Sequence, residues 1–277
     1  MTDAYCWTGK DRRVQRIVHS ASGTTFLVPL DHSLADGPVA SAAGFAKLVE
    51  EMAANEVDGI IVHKGRVRFL PAEALGRMAL IVHLNGSTQH APDKDAKILV
   101  GAVEEAVALG ADGVSVHINL GSDTEAAQLT DLGAVAGQCA RYGLPLLAMV
   151  YPRGPRITDP KDPVLLAHAA NVAADLGADI VKLPYTGSPL TMREVVAASP
   201  IPVVTAGGGV LEDTGTFLDL IDSTMESGVL GVAVGRNVFQ ATDPGGLARS
   251  VARRVHAGPR SLDDLAVLRQ ELSEATV

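Results

Sequence analysis

Cysteine is nearly missing from this sequence: Cys6 and Cys139 are the two in 277 residues, and they form no CxxC pair. That excludes a disulfide framework, and the simple reading is a reduced, cytoplasmic setting. Positive charge is also short. Lys and Arg total 23 against 32 Asp and Glu, a net charge of −9. A nucleic-acid partner is not expected, because it wants a basic face, but a local anion site remains open. No apolar run approaches the roughly 18 residues that mark a membrane span, so no membrane association is expected. The start, MTDAYCWTGKDRR, has no apolar core followed by a small-residue cleavage site, so no secretory signal is expected. Aromatics are only 4%, while 47% hydrophobic and 20% charged residues fit a soluble globular chain.

What is present is a rhythm. Short apolar, β-branched runs occupy 24–32, 59–65, 79–86, 113–120, 145–154, 179–187, 202–209 and 231–239. Ala/Leu-rich amphipathic stretches lie between most of them, such as 95–111 and 213–228. Several stretches end at glycine just before the next run, in LGADG, LGADI and SGVLG. Glycine is favoured just past a helix because it tolerates left-handed backbone angles. Near-continuous apolar strands imply burial on both faces, as in a parallel sheet covered by helices. Eight such units in 277 residues favour a single α/β domain over 1–277, a (β/α)8 (TIM) barrel. Residues 10–20 are expected as an N-terminal helix across the barrel bottom and 261–273 as a C-terminal helix. Chemistry in such barrels sits at the C-terminal strand ends.

Lys182 lies within a strand run, Ile-Val-Lys-Leu-Pro. Burying an unpaired ammonium is costly, so lysine there needs a reason. Burial disfavours the charged form of an amine. A neutral amine attacks a carbonyl and forms an iminium, an electron sink for making or breaking the adjacent C–C bond. Otherwise such a lysine pairs with a carboxylate or reaches out of the mouth. Lys64 is its rival near a strand end. Tyr151 closes the fifth run and could relay a proton, or could simply pack with its hydroxyl bonded. Asp31 closes the first and could orient the lysine or accept a proton, or cap a turn.

Gly207, Gly208 and Gly209 follow the seventh run, and Gly235 and Arg236 follow the eighth. This is where barrels frequently bind phosphate through backbone N–H groups, and Arg236 could clamp phosphate oxygens. His32, His63, His83 and His117 stand at or near strand ends. They could hold zinc if three converged, but no HExxH spacing supports a metal and none is expected. They read equally as a hydrogen-bonded layer of the barrel. Asn85, Ser87 and Asn119 could contact a polar substrate.

The segments PLDHS, HKGRVR, IVHLNGST, VSVHINLGSD, MVYPRG, ADIVKLPYTG, VVTAGGG and GVAVGRNVFQ carry a resemblance to the DhnA-type class I aldolases over about residues 24–256. Within them the chain is most similar to the 2-amino-3,7-dideoxy-D-threo-hept-6-ulosonate synthases. A related actinomycete branch feeds 3-amino-4-hydroxybenzoate and takes dihydroxyacetone phosphate as donor. The resemblance implies Lys182 as the Schiff-base lysine, Tyr151 as the acid/base and Asp31 as the active-site aspartate. It also implies phosphate loops at Gly207–Gly209 and Gly235–Arg236, and rings of five or decamers of this chain. No cofactor is implied. The partners are small molecules, a phosphorylated ketose and an aldehyde, with aspartate semialdehyde expected. His32, His63, His117, Met149 and Arg153 are expected substrate contacts. Met149 stands where the fructose-bisphosphate aldolases of this type carry tryptophan. Ser33 and Leu183-Pro184 depart from the synthase pattern and leave the donor open. The alternatives are fructose-bisphosphate cleavage and a thiolase-like acyl transfer on a ketose phosphate.

Overall fold

The structure is a computed structural model that describes residues 8–257. Eight parallel strands close into a barrel, each paired to the next and the last to the first. They are β1 (Thr25–Pro29), β2 (Gly59–His63), β3 (Ala79–His83), β4 (Gly113–Leu120), β5 (Leu146–Pro152), β6 (Ile180–Pro184), β7 (Val203–Ala206) and β8 (Gly231–Ala233). Each expected run contains one of them. A short helix α1 (Gly9–Ile17) precedes the barrel. The outer ring is α2 (Gly44–Ala54), α3 (Ala72–Arg77), α4 (Val103–Ala108), α5 (Glu125–Tyr142), α6 (Pro163–Asp175), α7 (Pro189–Ala197), α8 (Thr214–Met225) and α9 (Pro244–Val255). The helix expected at 261–273 lies outside the described residues. Among these no helix is long and apolar enough to cross a membrane.

Successive strand side chains point to opposite faces, so two cores form. Phe26, Val28, Ile60, Val62, Leu80 and Val82 pack outward against the helices. Leu27, Ile61, Ile81, Leu147, Ile180 and Val204 pack inward and fill the lower barrel, with Ile17 and Val18 beneath them. Helix starts are capped where the sequence offers Asp: Asp162, Asp213 and Asp243 each accept an N–H from the first turn. Gly110, Gly177 and Gly228, the glycines of the three motifs noted above, take φ of 76°, 90° and 81°.

One stretch differs from its expected form. Of 95–111, only Val103–Ala108 is helical. Ile98–Leu99 instead pair antiparallel with Asn85–Gly86, and the N–H groups of Val100 and Gly101 both donate to the Leu84 carbonyl. These bonds capture the backbone before a helical turn can close. The resulting hairpin stands over the barrel mouth.

The bottom is closed by a repeated clamp. Asp58, Asp112 and Asp179 each precede a strand, and each carboxylate accepts the N–H of a residue one βα unit back: Phe26 (2.7 Å), Leu80 (2.9 Å) and Leu146 (2.8 Å). Helix α1 docks on two of them, through Lys10 to Asp179 at 3.0 Å and Arg16 to Asp112 at 2.6 Å. Asp179→Ala leaves a buried N–H unpaired, so the unfolding free energy is expected to drop by about 2 kcal/mol. Lys10→Met removes only a partly exposed ion pair and should cost less than about 1 kcal/mol. Denaturant midpoints of both variants check the ordering.

Candidate active site

The inward face changes character along each strand. Two residues above Ile61 stands His63, above Ile81 stands His83, and above Ile180 stands Lys182. Above Leu147 come Met149 and then Tyr151. The period of two puts all of these on the lumen side. Asp31 follows β1 on the same side. These residues, with His32, His117, Arg153 and Arg236, line one cavity of about 610 Å³ at the C-terminal end of the barrel. Strand register sets Lys182 beside Met149, Met149 beside His117, and His63 beside His83.

Lys182 is 6% exposed. Among the described residues its amine forms no hydrogen bond and no ion pair. Lys64, the rival, lies in a turn after β2 and is paired with Glu105 at 2.6 Å. The ring of Tyr151 tilts against His117 at 4.8 Å and lies 4.7 Å from the Arg153 guanidinium.

Burial pushes the Asp31 carboxyl up, but His83, His32, Lys182 and His63 together hold it down at about 2. Burial pushes His83 down to about 4 against the pull of Asp31. His32, His63 and His117 are also lowered, chiefly by burial. At neutral pH the layer is therefore an anionic carboxylate among uncharged imidazoles. Hydrogen bonds orient the rings. His63 Nδ1 meets the His83 carbonyl at 3.2 Å, and the ring also faces the Asp31 carbonyl. The Asn119 amide donates to the Asp95 carbonyl (2.8 Å) and offers its oxygen to His117 Nε2 (2.8 Å), so that nitrogen carries the proton. His83 Nδ1 meets Ser115 Oγ at 2.8 Å. No three His, Cys, Asp or Glu side chains among the described residues converge as metal ligands.

The glycine loops sit beside this cavity rather than on its main wall, and of that set only Arg236 lines it. Arg236 donates to the Gly208 carbonyl at 3.0 Å. Asn237, which the sequence did not single out, donates to the carbonyls of Gly207 (3.3 Å) and Gly209 (3.0 Å). With those carbonyls tied back, the N–H groups of Gly207, Gly208, Gly209, Gly235 and Arg236 donate to no protein group among the described residues. A Cβ on Gly207 would come within 2.6 Å of Val234, and one on Gly235 would overlap the Pro29 carbonyl. Both positions therefore require glycine.

Lys97 and Asp95 on the hairpin also line the cavity and were not expected there, because 95–111 read as an outer helix. A buried latch aims them. Asn85 exchanges two 2.8 Å bonds with the His117 backbone, and Gln128 donates to the Asp95 carbonyl at 2.9 Å.

Comparison with known proteins places this geometry. The model of the DeoC/LacD family aldolases matches residues 25–241. A 2-amino-4,5-dihydroxy-6-oxo-7-(phosphonooxy)heptanoate synthase of Streptomyces griseus is 52% identical over 244 residues, covering 88% of this chain and 89% of the relative. A 2-amino-3,7-dideoxy-D-threo-hept-6-ulosonate synthase of Archaeoglobus fulgidus is 42% identical over 90% of this chain and 91% of its own. Among solved structures, an archaeal fructose-1,6-bisphosphate aldolase, with its catalytic lysine covalently bound to the carbinolamine intermediate, superposes with a TM-score of 0.81. It is 29% identical and covers 90% of this chain and all of that one.

The imidazole layer has a pH signature. A group whose folded pKa is depressed stabilises the fold above its unfolded pKa, and that stability is lost as pH falls toward the folded value. For His83 the window runs from about 6.5 down to about 4. Asp58, pushed up to about 7 by burial, acts in the opposite sense across the same range. The difference between wild type and His83→Gln therefore isolates the histidine. Urea midpoints from pH 7 to pH 4.5 should fall more steeply in the wild type than in the variant.

Proposed function

The chain belongs to the DeoC/LacD family of aldolases, in its class I, Schiff-base form, and from that premise we propose that it condenses dihydroxyacetone phosphate with L-aspartate 4-semialdehyde. The observation that carries this reading is Lys182, an amine buried in a polar cavity with no carboxylate bonded to it among the described residues. Lysine in that setting acts as a nucleophile toward carbonyls.

The Lys182 amine adds to the ketone carbon of the donor. Loss of the carbonyl oxygen as water leaves an iminium. Removal of a proton from the adjacent hydroxymethyl carbon gives an enamine, whose carbon attacks the aldehyde, and water then frees the product ketone. Tyr151, on the wall near His117, transfers protons to and from the reacting hydroxyls. Asp31, anionic across the neutral range, opposes the positive charge that develops on the lysine nitrogen. The free amides of Gly207–Gly209, Gly235 and Arg236, with the Arg236 guanidinium, receive the phosphate. His32, His63 and His117 offer neutral donors and acceptors to the substrate hydroxyls.

The choice of acceptor follows from product chemistry. The Streptomyces relative is named for a seven-carbon phosphorylated amino-keto acid with hydroxyls at carbons four and five. Cutting the bond between those carbons by a reverse aldol yields dihydroxyacetone phosphate and aspartate semialdehyde. Fructose 1,6-bisphosphate cleavage, named for the archaeal neighbours, is the second reading. Met149, beside Lys182 in the barrel register, weighs against it, because the resembling fructose-bisphosphate enzymes place tryptophan there.

Borohydride with dihydroxyacetone phosphate is expected to leave a stable adduct on Lys182, read by peptide mass mapping. An adduct on Lys64 would move the site to the end of β2. Tyr151→Phe should slow turnover by about 10²-fold or more while still trapping the donor, because proton relay and imine formation are separate steps. Full turnover in that variant would remove the role given to Tyr151. Cleavage of fructose 1,6-bisphosphate faster than condensation with aspartate semialdehyde would favour the second reading, and dependence on coenzyme A would point to acyl transfer.

A further inference from the structure

The cavity carries cationic groups on opposite sides. Arg236 follows β8. Lys97 stands on the hairpin between β3 and β4, and Arg153 follows β5. In the closed strand order β8 and β4 lie four strands apart, across the barrel from one another. The glycine loops that serve the donor phosphate belong to the Arg236 side, which leaves the Lys97 side without an assigned occupant.

Lys97 is half-buried, yet it makes no ion pair among the described residues. Its Nζ donates to Ser87 Oγ at 2.7 Å and to the Lys94 carbonyl at 2.8 Å. A third donor remains. Arg153 likewise makes no ion pair among the described residues and lies against the Tyr151 ring. Burial lowers the Lys97 pKa, and the nearby Arg153 charge lowers it further, while Asp95, Asp36 and Asp93 pull the other way. Arg153 is exposed and Lys97 half-buried, and holding the Lys97 charge near a like charge in its partly desolvated position costs free energy, which an anion between them would offset. Nor is the position accidental. The segment bearing Lys97 is latched to the barrel by Asn119 and Gln128, both fully buried and both bonded to the Asp95 carbonyl.

We propose that Lys97, with Arg153, binds the carboxylate of the aldehyde acceptor and sets the enzyme's preference for acidic aldehydes. The inference rests on the aldolase reading of the cavity. A carboxylate fits better than a second phosphate, because Asp36 and Asp95 line the same cavity near enough to act on Lys97. They would repel a dianion, whereas the ammonium of an amino-acid aldehyde would pair with them. Tyr151, under Arg153 and against His117, then lies beside the acceptor, where the new hydroxyl forms.

The test compares aldehydes with dihydroxyacetone phosphate as donor: aspartate 4-semialdehyde, succinate semialdehyde, glyceraldehyde 3-phosphate and uncharged propanal. In Lys97→Met the kcat/KM of the two carboxylate aldehydes should fall about 10- to 100-fold relative to propanal, mainly through KM, as expected for a lost charge-assisted bond. Lys97→Arg should restore most of the ratio. Equal losses for charged and neutral aldehydes would overturn the proposal. So would a loss confined to glyceraldehyde 3-phosphate, which would assign the pair to phosphate. Borohydride trapping of the donor alone separates the two levels of the argument. No adduct in the wild type removes the aldolase reading and this inference with it. An adduct with an unchanged acceptor ratio removes this inference alone.

Discussion

An amine held inside a closed barrel, with no carboxylate bonded to it among the described residues, is the constraint around which this molecule is arranged. The lumen is apolar below, where Leu27, Ile61, Ile81 and Ile180 meet, and polar above, where the same inward positions carry His63, His83 and Lys182. Taking a cationic side chain out of water costs several kcal/mol unless its surroundings compensate. Here the compensation is spread out. Asp31 supplies an anion on the same wall, and imidazoles kept neutral by burial supply dipoles without competing charge. The site is tolerated because the rest of the fold is apolar and tightly closed.

The two ends of the barrel divide the work. At the bottom, Asp58, Asp112 and Asp179 tie β2 to β1, β4 to β3 and β6 to β5, and α1 seals the opening through Lys10 and Arg16. At the top the polar groups face a cavity, and several of their donors and acceptors are left free. Asn237 draws the Gly207 and Gly209 carbonyls away, leaving the N–H groups of that loop without partners among the described residues. Asn119 and Gln128 anchor the hairpin that brings Lys97 over the mouth. The clamps and the cavity thus fall at opposite ends of the same strands.

Much of this was legible in the sequence. The eight apolar runs became the eight strands because burial on both faces leaves an unbroken apolar signature. Lys182 stood out as a charge where that signature tolerates none. The runs overshoot at their C-terminal ends: 24–32 reduces to Thr25–Pro29 and 179–187 to Ile180–Pro184. Those extra residues are the turns that carry Asp31 and flank the site. What stayed hidden depends on contacts distant in sequence. Lys97 falls in 95–111, whose composition is helical, and only the pairing of Ile98–Leu99 with Asn85–Gly86 places it on a hairpin. Asn237 has its partners in a loop almost one βα unit back. The aspartate clamps are visible as Asp before a strand, but their acceptor role needs the barrel register. The glycine motifs stand after β7 and β8 as read, but their backbones lie beside the cavity, and of that set only Arg236 reaches into it.

The central claim is that the donor ketone becomes covalently joined to Lys182. Carbinolamine and iminium formation must expel the ketone oxygen as water. Dihydroxyacetone phosphate labelled with oxygen-18 at its ketone should therefore lose the label to solvent faster with the wild-type enzyme than by spontaneous hydration, with no aldehyde present. Lys182→Met should show only the spontaneous rate. Turnover to product with the ketone label fully retained would contradict the account, because it would mean that the carbonyl is activated without ever being replaced by nitrogen.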